Sequence, residues 1–417
     1  MNRSTATGTH PLPHTALFFL IIFSYYIAKP VRNSLFLEWM GPRELPFVYL
    51  ASAALTLIAS VILHIQLRKR SPFPVITTGI LFFAGGFILL RMLFIWMDIR
   101  AAAISFALYL FISLFAVVSV SLFWALCNSV HTTENAQRHY NIIGTGGILG
   151  GLAGGIVANV LVKKVGTEQL LLVSAALLLS ALPLVIMIGN SARHSVTVSP
   201  RDTDHFSTVS RPHGGITSLA CNRALLFIAG LVLLSTFIGS LMDYRFQSVI
   251  KTASLVKDDR TAYFARIFTM INIGGIIIHV LFTRTVLAGG GVAFGVLPAA
   301  VIATAGSFVI QFRPQLSTIT VIWVLYGAFA YSMVQVSRET LYCGVPQKLR
   351  AVAKFYIDSF LFRLGDASAA LFILFTNTFF GEPETLRFGM RTLLCGVWAV
   401  VIVMLYRWSR RKKSQNV

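Results

Sequence analysis

This sequence predicts an all-α membrane protein of about twelve transmembrane helices set in two six-helix halves. Three observations carry that expectation. The chain of 417 residues is 56% hydrophobic and only 12% charged, with a mean hydropathy of +0.75, whereas a soluble domain carries about 25% charged residues. Apolar runs of about 20 residues, the length that crosses a bilayer core, recur along the chain with polar punctuation between them. The two halves also echo one another at an offset of about 215 residues.

Taken in order, the apolar runs lie near 15–38, 46–67, 73–97, 101–127, 139–162 and 167–189, then 223–250, 261–284, 291–312, 316–337, 352–380 and 386–408. The first fourteen residues lack a charged leader and a cleavage site, so the first run is expected to stay as a helix. Its second part, Tyr25-Tyr26-Ile27-Ala28-Lys29-Pro30-Val31-Arg32, places cations inside the membrane. At helical spacing Tyr25, Lys29, Arg32 and Phe36 form one stripe. A charge at the bilayer centre costs roughly 3 kcal/mol on insertion scales, so the stripe is expected to line a polar pathway. Snorkelling to the headgroups is the alternative. Pro30 favours the first reading, because it suggests a helix broken where backbone lines a cavity.

The net charge of +20 suggests nucleic acid in a soluble chain, but here its placement follows the membrane. Arg68, Lys69, Arg70, Arg138, Arg193, Arg201, Arg211, Arg223, Lys348, Arg350 and the tail from Arg410 to Lys413 fall on one side. Arg43, Arg100, Lys163, Lys164, Lys251, Lys257, Arg260, Arg313 and Arg387 are left for the loops on the other. That bias predicts both termini in the cytoplasm and no nucleic-acid partner. Cys127, Cys221, Cys343 and Cys395 are scattered without metal-ligand spacing, so neither a metal site nor a cofactor is expected.

From Asn190 to Asn222 the composition turns to Ser, Thr, His, Arg, Pro and Asp, which reads as a cytoplasmic linker. It divides the chain into an N-terminal half, 1–189, and a C-terminal half, 223–417. Within 144–155 a glycine-rich run lacks the Lys-Ser/Thr and the preceding strand of a phosphate loop. Gly147, Gly151 and Gly155 instead make a flat face for close helix approach.

The repeat is carried by Arg32 against Arg245, Leu63-His64-Ile65 against Ile278-His279-Val280, and Arg138-His139-Tyr140 against Lys354-Phe355-Tyr356. Parallel six-span repeats are the mark of the major-facilitator fold, in which substrate sits at the midplane between halves. Inside the spans the cations are Lys29, Arg32, Arg91, Arg245, Arg266, Lys354 and Arg363; the anions are Asp98, Asp243, Glu339, Asp358 and Asp366. Lys354 with Asp358 and Arg363 with Asp366 have pairing distance along one helix. Lys29, Arg32 and Arg245 have no carboxylate three or four residues away. This cationic surplus suits an anionic solute, and arginine's planar fork suits phosphate. No hydrolase or protease motif is present, and no enzyme is expected.

Four stretches resemble the ATP/ADP translocases of plastids and obligate intracellular bacteria. Lys29-Pro30-Val31-Arg32-Asn33-Ser34-Leu35 is similar to that family's first-helix motif, with Arg32 in place of a substrate-binding lysine. Phe123-Trp124-Ala125-Leu126-Cys127-Asn128, continuing into Asn135-Ala136-Gln137-Arg138-His139-Tyr140, resembles its Phe-Trp-x-x-x-Asn and Glu-Ala-Lys-Arg-Phe-Tyr segment. Asp243-Tyr244-Arg245-Phe246-Gln247 and Lys354-Phe355-Tyr356-Ile357-Asp358 with Arg363-Leu364-Gly365 complete the set. Asn33, Asn135, Gln137 and Asp366 depart from the family's charges.

The resemblance implies a secondary transporter of a nucleotide or another phosphorylated anion, working by alternating access, with ATP/ADP-type exchange as one form. Its expected substrate-binding residues are Tyr25, Lys29, Arg32, Trp124, Asn128, Asp243, Arg245, Lys354, Asp358 and Arg363. A monomer in the bacterial inner membrane is expected, with lipid around it. A proton-coupled carrier using Asp243 or Asp358, or a non-transporting scaffold, stands as the alternative.

Overall fold

The structure is a computed structural model, and it describes residues 10–96, 100–131, 133–195, 223–253, 255–283, 291–343, 345, 353–354, 356–381 and 384–415. Among the described residues there are helices and no strand. Eleven helical segments among those residues are long and apolar enough to cross a membrane. The expected span at 352–380 is also helical over its described part, Tyr356–Phe380. It is less apolar than the others because Arg363, Asp366 and Asn377 lie within it. The chain is thus a nearly all-helical multi-pass membrane protein. Most of the expected linker, 196–222, lies outside the described residues, while 190–195 continue the preceding helix.

The helices are α1 (Pro11–Trp39), α2 (Leu45–Lys69), α3 (Pro72–Trp96), α4 (Ala101–Val130), α5 (Thr133–Val165), α6 (Leu170–Leu179) and α7 (Leu182–Ser195). From residue 223 onward come α8 (Arg223–Thr252), α9 (Lys257–Ile278), α10 (Val292–Phe312), α11 (Leu316–Phe329), α12 (Gln335–Cys343), α13 (Phe362–Phe380) and α14 (Glu384–Gln415). The sixth run is divided between α6 and α7, and the tenth passes from α11 to α12 through a π-helical stretch, Ala330–Val334. α1 runs through Pro30 without a break, contrary to the expectation of an interrupted helix. Proline removes one intrahelical bond, and in a membrane helix surrounding groups offset that loss.

Contacts divide the chain into two compact units. One comprises Met1–Met40, Ile58–Thr208 and Val256–Thr269; the other comprises Gly41–Leu57, Val209–Leu255 and Met270–Val417. In the first unit α1 packs on α4, α5 and α6, and α3 packs on α4 and α6. Its core joins Leu17, Ile21, Ile27, Val31 and Leu35 of α1 to Phe83, Phe87, Phe115 and Phe123. In the second unit α8 packs on α13 and α14, and α10 packs on α14. Its core is built on Leu225, Ile228, Val232, Val296, Ala303 and Trp398. First span on fifth and third on sixth in one unit thus correspond to seventh on eleventh and ninth on twelfth in the other. That is the contact pattern expected of a six-span repeat.

The glycine run sets how closely α5 approaches α1. A Cβ at Gly150 would stand 2.5 Å from the Phe19 carbonyl oxygen, and one at Gly146 would stand 2.3 Å from that of Thr15. The close face toward α1 is therefore Gly146, Gly150 and Gly154, joined by Gly147 of the expected row, where a Cβ would stand 2.4 Å from the Phe18 ring. Gly155 faces Thr269 instead. Such contacts let backbones meet where lipid supplies no hydrophobic drive. Ser24 and Ser174 reinforce the packing by exchanging hydroxyl-to-carbonyl bonds at 2.9 and 3.2 Å between α1 and α6.

Candidate functional site

In the first unit, close packing of α1 presents its charged stripe to α4. The Arg32 guanidinium lies 4.2 Å from the centre of the Tyr109 ring and donates to Ser113 Oγ at 3.1 Å and Asn33 Oδ1 at 3.0 Å. Tyr25 meets Phe115 edge-on, and Phe36 is buried against Tyr109. The polar part of the stripe consequently ends at Arg32. One turn earlier, Lys29 Nζ sits 4.0 Å over Phe268 and 5.4 Å over Tyr26. Both cations are half-buried. Rings and hydroxyls hold them by quadrupole and dipole, interactions that desolvation strengthens.

The expected site residues Trp124 and Asn128 lie farther along α4. Trp124 packs with Phe18, Phe123 and Tyr140, and the Tyr140 hydroxyl donates to Asn128 Oδ1 at 2.7 Å. Beyond the end of α4, burial, and then the neighbouring His14 and His139 rings, push the His131 imidazole down to about 4. Its ring centre is 4.7 Å from that of His14 and 5.6 Å from that of His139.

Near the other end of α1 lies a polar network that sequence reading missed. Glu38 accepts from Arg260, whose Nε donates to Ser34 Oγ at 3.3 Å. Lys257 Nζ reaches Glu168 at 2.6 Å, and Asp258 accepts from the Thr167 backbone N–H and hydroxyl. Arg260, expected in a loop, is only 2% exposed, because these partners offset its desolvation.

The second unit treats its cations differently. Arg245 Nε lies 3.4 Å from Glu384 Oε1. The same carboxylate accepts from Arg391 Nη2 at 2.6 Å and has Arg387 Nη1 at 3.8 Å from its other oxygen. Arg387, also assigned to a loop by the charge pattern, is 4% exposed. It donates to Asn377 Oδ1 and Thr376 Oγ1 and stacks over Tyr244. A signal was present: Glu384, Arg387 and Arg391, spaced i, i+3 and i+7, share one helix face.

The remaining expected site residues have separate partners. Asp243 accepts from the Tyr49 hydroxyl and from Gln247 at 2.7 Å. Arg363 pairs with Asp366 at 3.3 Å, as its spacing predicted, and Asp366 also accepts from Ser240. Lys354 pairs with Glu339 at 2.8 Å, where sequence spacing had suggested Asp358. The Asp358 side chain and Asp98 lie outside the described residues. Among the described residues no cluster fit for a metal ion occurs.

Comparison with known proteins agrees with this architecture. Residues 87–194 match the family model described as TLC ATP/ADP transporter. That stretch contains the Phe123–Asn128 and Asn135–Tyr140 motifs. No curated protein matches the chain. Among solved structures, an auto-inhibited POT family peptide transporter aligns at a TM-score of 0.66 and 10% identity, covering 95% of this chain and 97% of the other. The nucleoside transporter NupG aligns at 0.62 and 13% identity, covering 95% and 98%. A POT family transporter in complex with 5-aminolevulinic acid aligns at 0.63 and 12% identity, covering 96% and 97%. The chain therefore has the major-facilitator transporter fold, and its residues 87–194 are similar to the TLC ATP/ADP transporter family.

Proposed function

We propose that this chain is a secondary transporter that moves a nucleotide or a related phosphorylated anion across the bacterial inner membrane by alternating access, with both termini cytoplasmic. The match of residues 87–194 to ATP/ADP transporters carries this reading. It is supported by the chemistry of α1, where Lys29 and Arg32 stand beside Tyr25, Tyr26 and Tyr109. Guanidinium binds phosphate oxygens bidentately, and an aromatic face accepts a base by stacking. The moving parts are the two six-helix halves, 1–189 and 223–417. Arg32 and Lys29 serve the first half; Arg245 and Asp243 serve the second. Trp124, Asn128, Lys354, Asp358 and Arg363 complete the proposed substrate-binding set.

The test is uptake of labelled nucleotides, sugar phosphates and nucleosides into proteoliposomes holding the full chain. Uptake of nucleotides, accelerated by nucleotide inside, is expected. Uptake of an uncharged nucleoside alone, indifferent to Arg32→Ala, would overturn the anionic-substrate reading. A proton-coupled carrier is the second reading, favoured by the Asp366 carboxylate between Ser240 and Arg363. It predicts uptake driven by an imposed pH gradient and lost in Asp366→Asn.

A further inference from the structure

Three guanidinium groups, those of Arg245, Arg387 and Arg391, share the single carboxylate of Glu384 among the described residues. Arg391 is 2% exposed, and its Nη1 is buried with no hydrogen-bond partner. The second carboxylate oxygen and Arg245 Nε also lack a hydrogen bond. Two carboxylate oxygens cannot satisfy the N–H donors of three guanidinium groups. A buried cluster so under-filled is stable only while some anion occupies it, since each desolvated cation otherwise lacks its counter-charge. Glu384 opens α14, where the helix N-terminus adds its own partial positive charge. Arg387 and Arg391 are buried, whereas the side chains of Arg245 and Glu384 are 21% and 20% exposed, so the cluster has one accessible side.

We propose that this cluster is an anion site whose resident occupant is the tethered Glu384 carboxylate, and that a free phosphoryl-type oxyanion displaces it. A tetrahedral oxyanion carries more acceptor oxygens than the carboxylate and answers the donors that Glu384 leaves empty. Displacement moves one flexible side chain out of the cluster and leaves Arg245 and Arg391 in place. Inorganic phosphate and the phosphoryl end of a nucleotide share this chemistry. The inference deepens the proposed function and rests on it only in the second case, through Arg245.

The test uses the purified full chain in detergent, with melting temperature followed against inorganic phosphate and, separately, ATP. Glu384→Gln removes the competitor while keeping the side chain's shape. Its melting temperature should fall in anion-poor buffer and recover with phosphate, with apparent phosphate affinity rising about tenfold over the parent, the worth of one charge-assisted hydrogen bond. Adding Arg245→Ala to Glu384→Gln should cancel that gain. If Glu384→Gln melts lower at every phosphate concentration with unchanged affinity, Glu384 is a plain structural ion pair and the proposal falls. Should Glu384→Gln not accumulate, Glu384→Asp, one methylene shorter, should show a smaller rise in affinity; no rise overturns the proposal equally. ATP binding that depends on Arg245 but ignores Glu384→Gln would sink this inference and leave the transport reading standing. A phosphate gain without ATP binding would do the reverse.

Discussion

Arg32 and Arg245 occupy equivalent places in the sequence repeat, yet their surroundings differ in kind. Arg32 rests on a tyrosine ring, a serine hydroxyl and an amide; Arg245 faces a carboxylate already claimed by two buried arginines. A ring face, a hydroxyl and an amide hold a guanidinium by quadrupole and dipole. An ion-pair cluster withholds that charge until something exchanges for the carboxylate. The comparison teaches that one cation type at two matched positions rests on a ring and hydrogen-bonding side chains in one unit and joins a closed ion-pair lock in the other.

The largest effect should come from the scaffold that positions Arg32. Gly150→Leu places side-chain atoms where the Phe19 carbonyl lies 2.5 Å from a Cβ. Overpacking of a tight core costs about 1–3 kcal/mol even when neighbours shift, and here the obstacle is backbone. Loss of the monodisperse peak on size-exclusion chromatography is expected. Gly230→Ala, on α8 with nothing within 4 Å of its Cβ, should leave that peak intact.

Next comes the closed lock. Removing one partner of a buried ion pair costs about 3–5 kcal/mol, whereas an apolar residue of similar volume is often tolerated. Arg391→Ala should therefore lower the melting temperature strongly and Arg391→Met much less. Equal losses would show that packing, and not charge, governs the cluster.

Arg32 should behave in the opposite way. Arg32→Ala should weaken nucleotide binding about ten- to a hundredfold with little change in melting temperature. Arg32→Lys, which keeps the charge without the fork, should fall between. Asp243 is held by Tyr49 and Gln247, so adding Asp243→Ala to Arg32→Ala should not restore binding. A double variant that transports like the parent would make Arg32 a packing residue.

Two smaller effects complete the series. The folded chain keeps His131 neutral down to about 4, while an unfolded chain takes up that proton near 6.5. Stability should fall as pH drops through that window, and His131→Asn should flatten the slope of melting temperature against pH. The Lys354 and Glu339 side chains are 47% and 41% exposed, so Lys354→Gln should change stability by less than about 1 kcal/mol.

Much of the fold was legible because membrane insertion writes length and hydropathy directly into sequence. The repeat was legible for the same reason: an offset survives without knowledge of contacts. Site chemistry was harder to read. Arg387 and Arg260 looked like loop cations because a charge near a span end normally faces water, and only tertiary partners turn them inward. Lys354 found Glu339, a residue fifteen positions away, and spacing rules reach only one turn. The glycine run announced close approach, and Gly147 does meet α1, but how far the contact spreads to Gly146, Gly150 and Gly154 depends on the rotation of α5, which composition does not specify.

The setting of Arg32 also bears on how the chain is made. α1 is made before α4, so Arg32 waits for Ser113, which is 81 residues later in the chain. At roughly 5–20 residues per second that interval lasts on the order of ten seconds. Lys29 waits longer still for Phe268, which arrives only with α9. During synthesis α1 therefore carries two cations into the bilayer before their contacts with later helices exist. Its early residence has to depend on the insertion machinery, on lipid headgroups or on water, and its final placement is a late event of biogenesis.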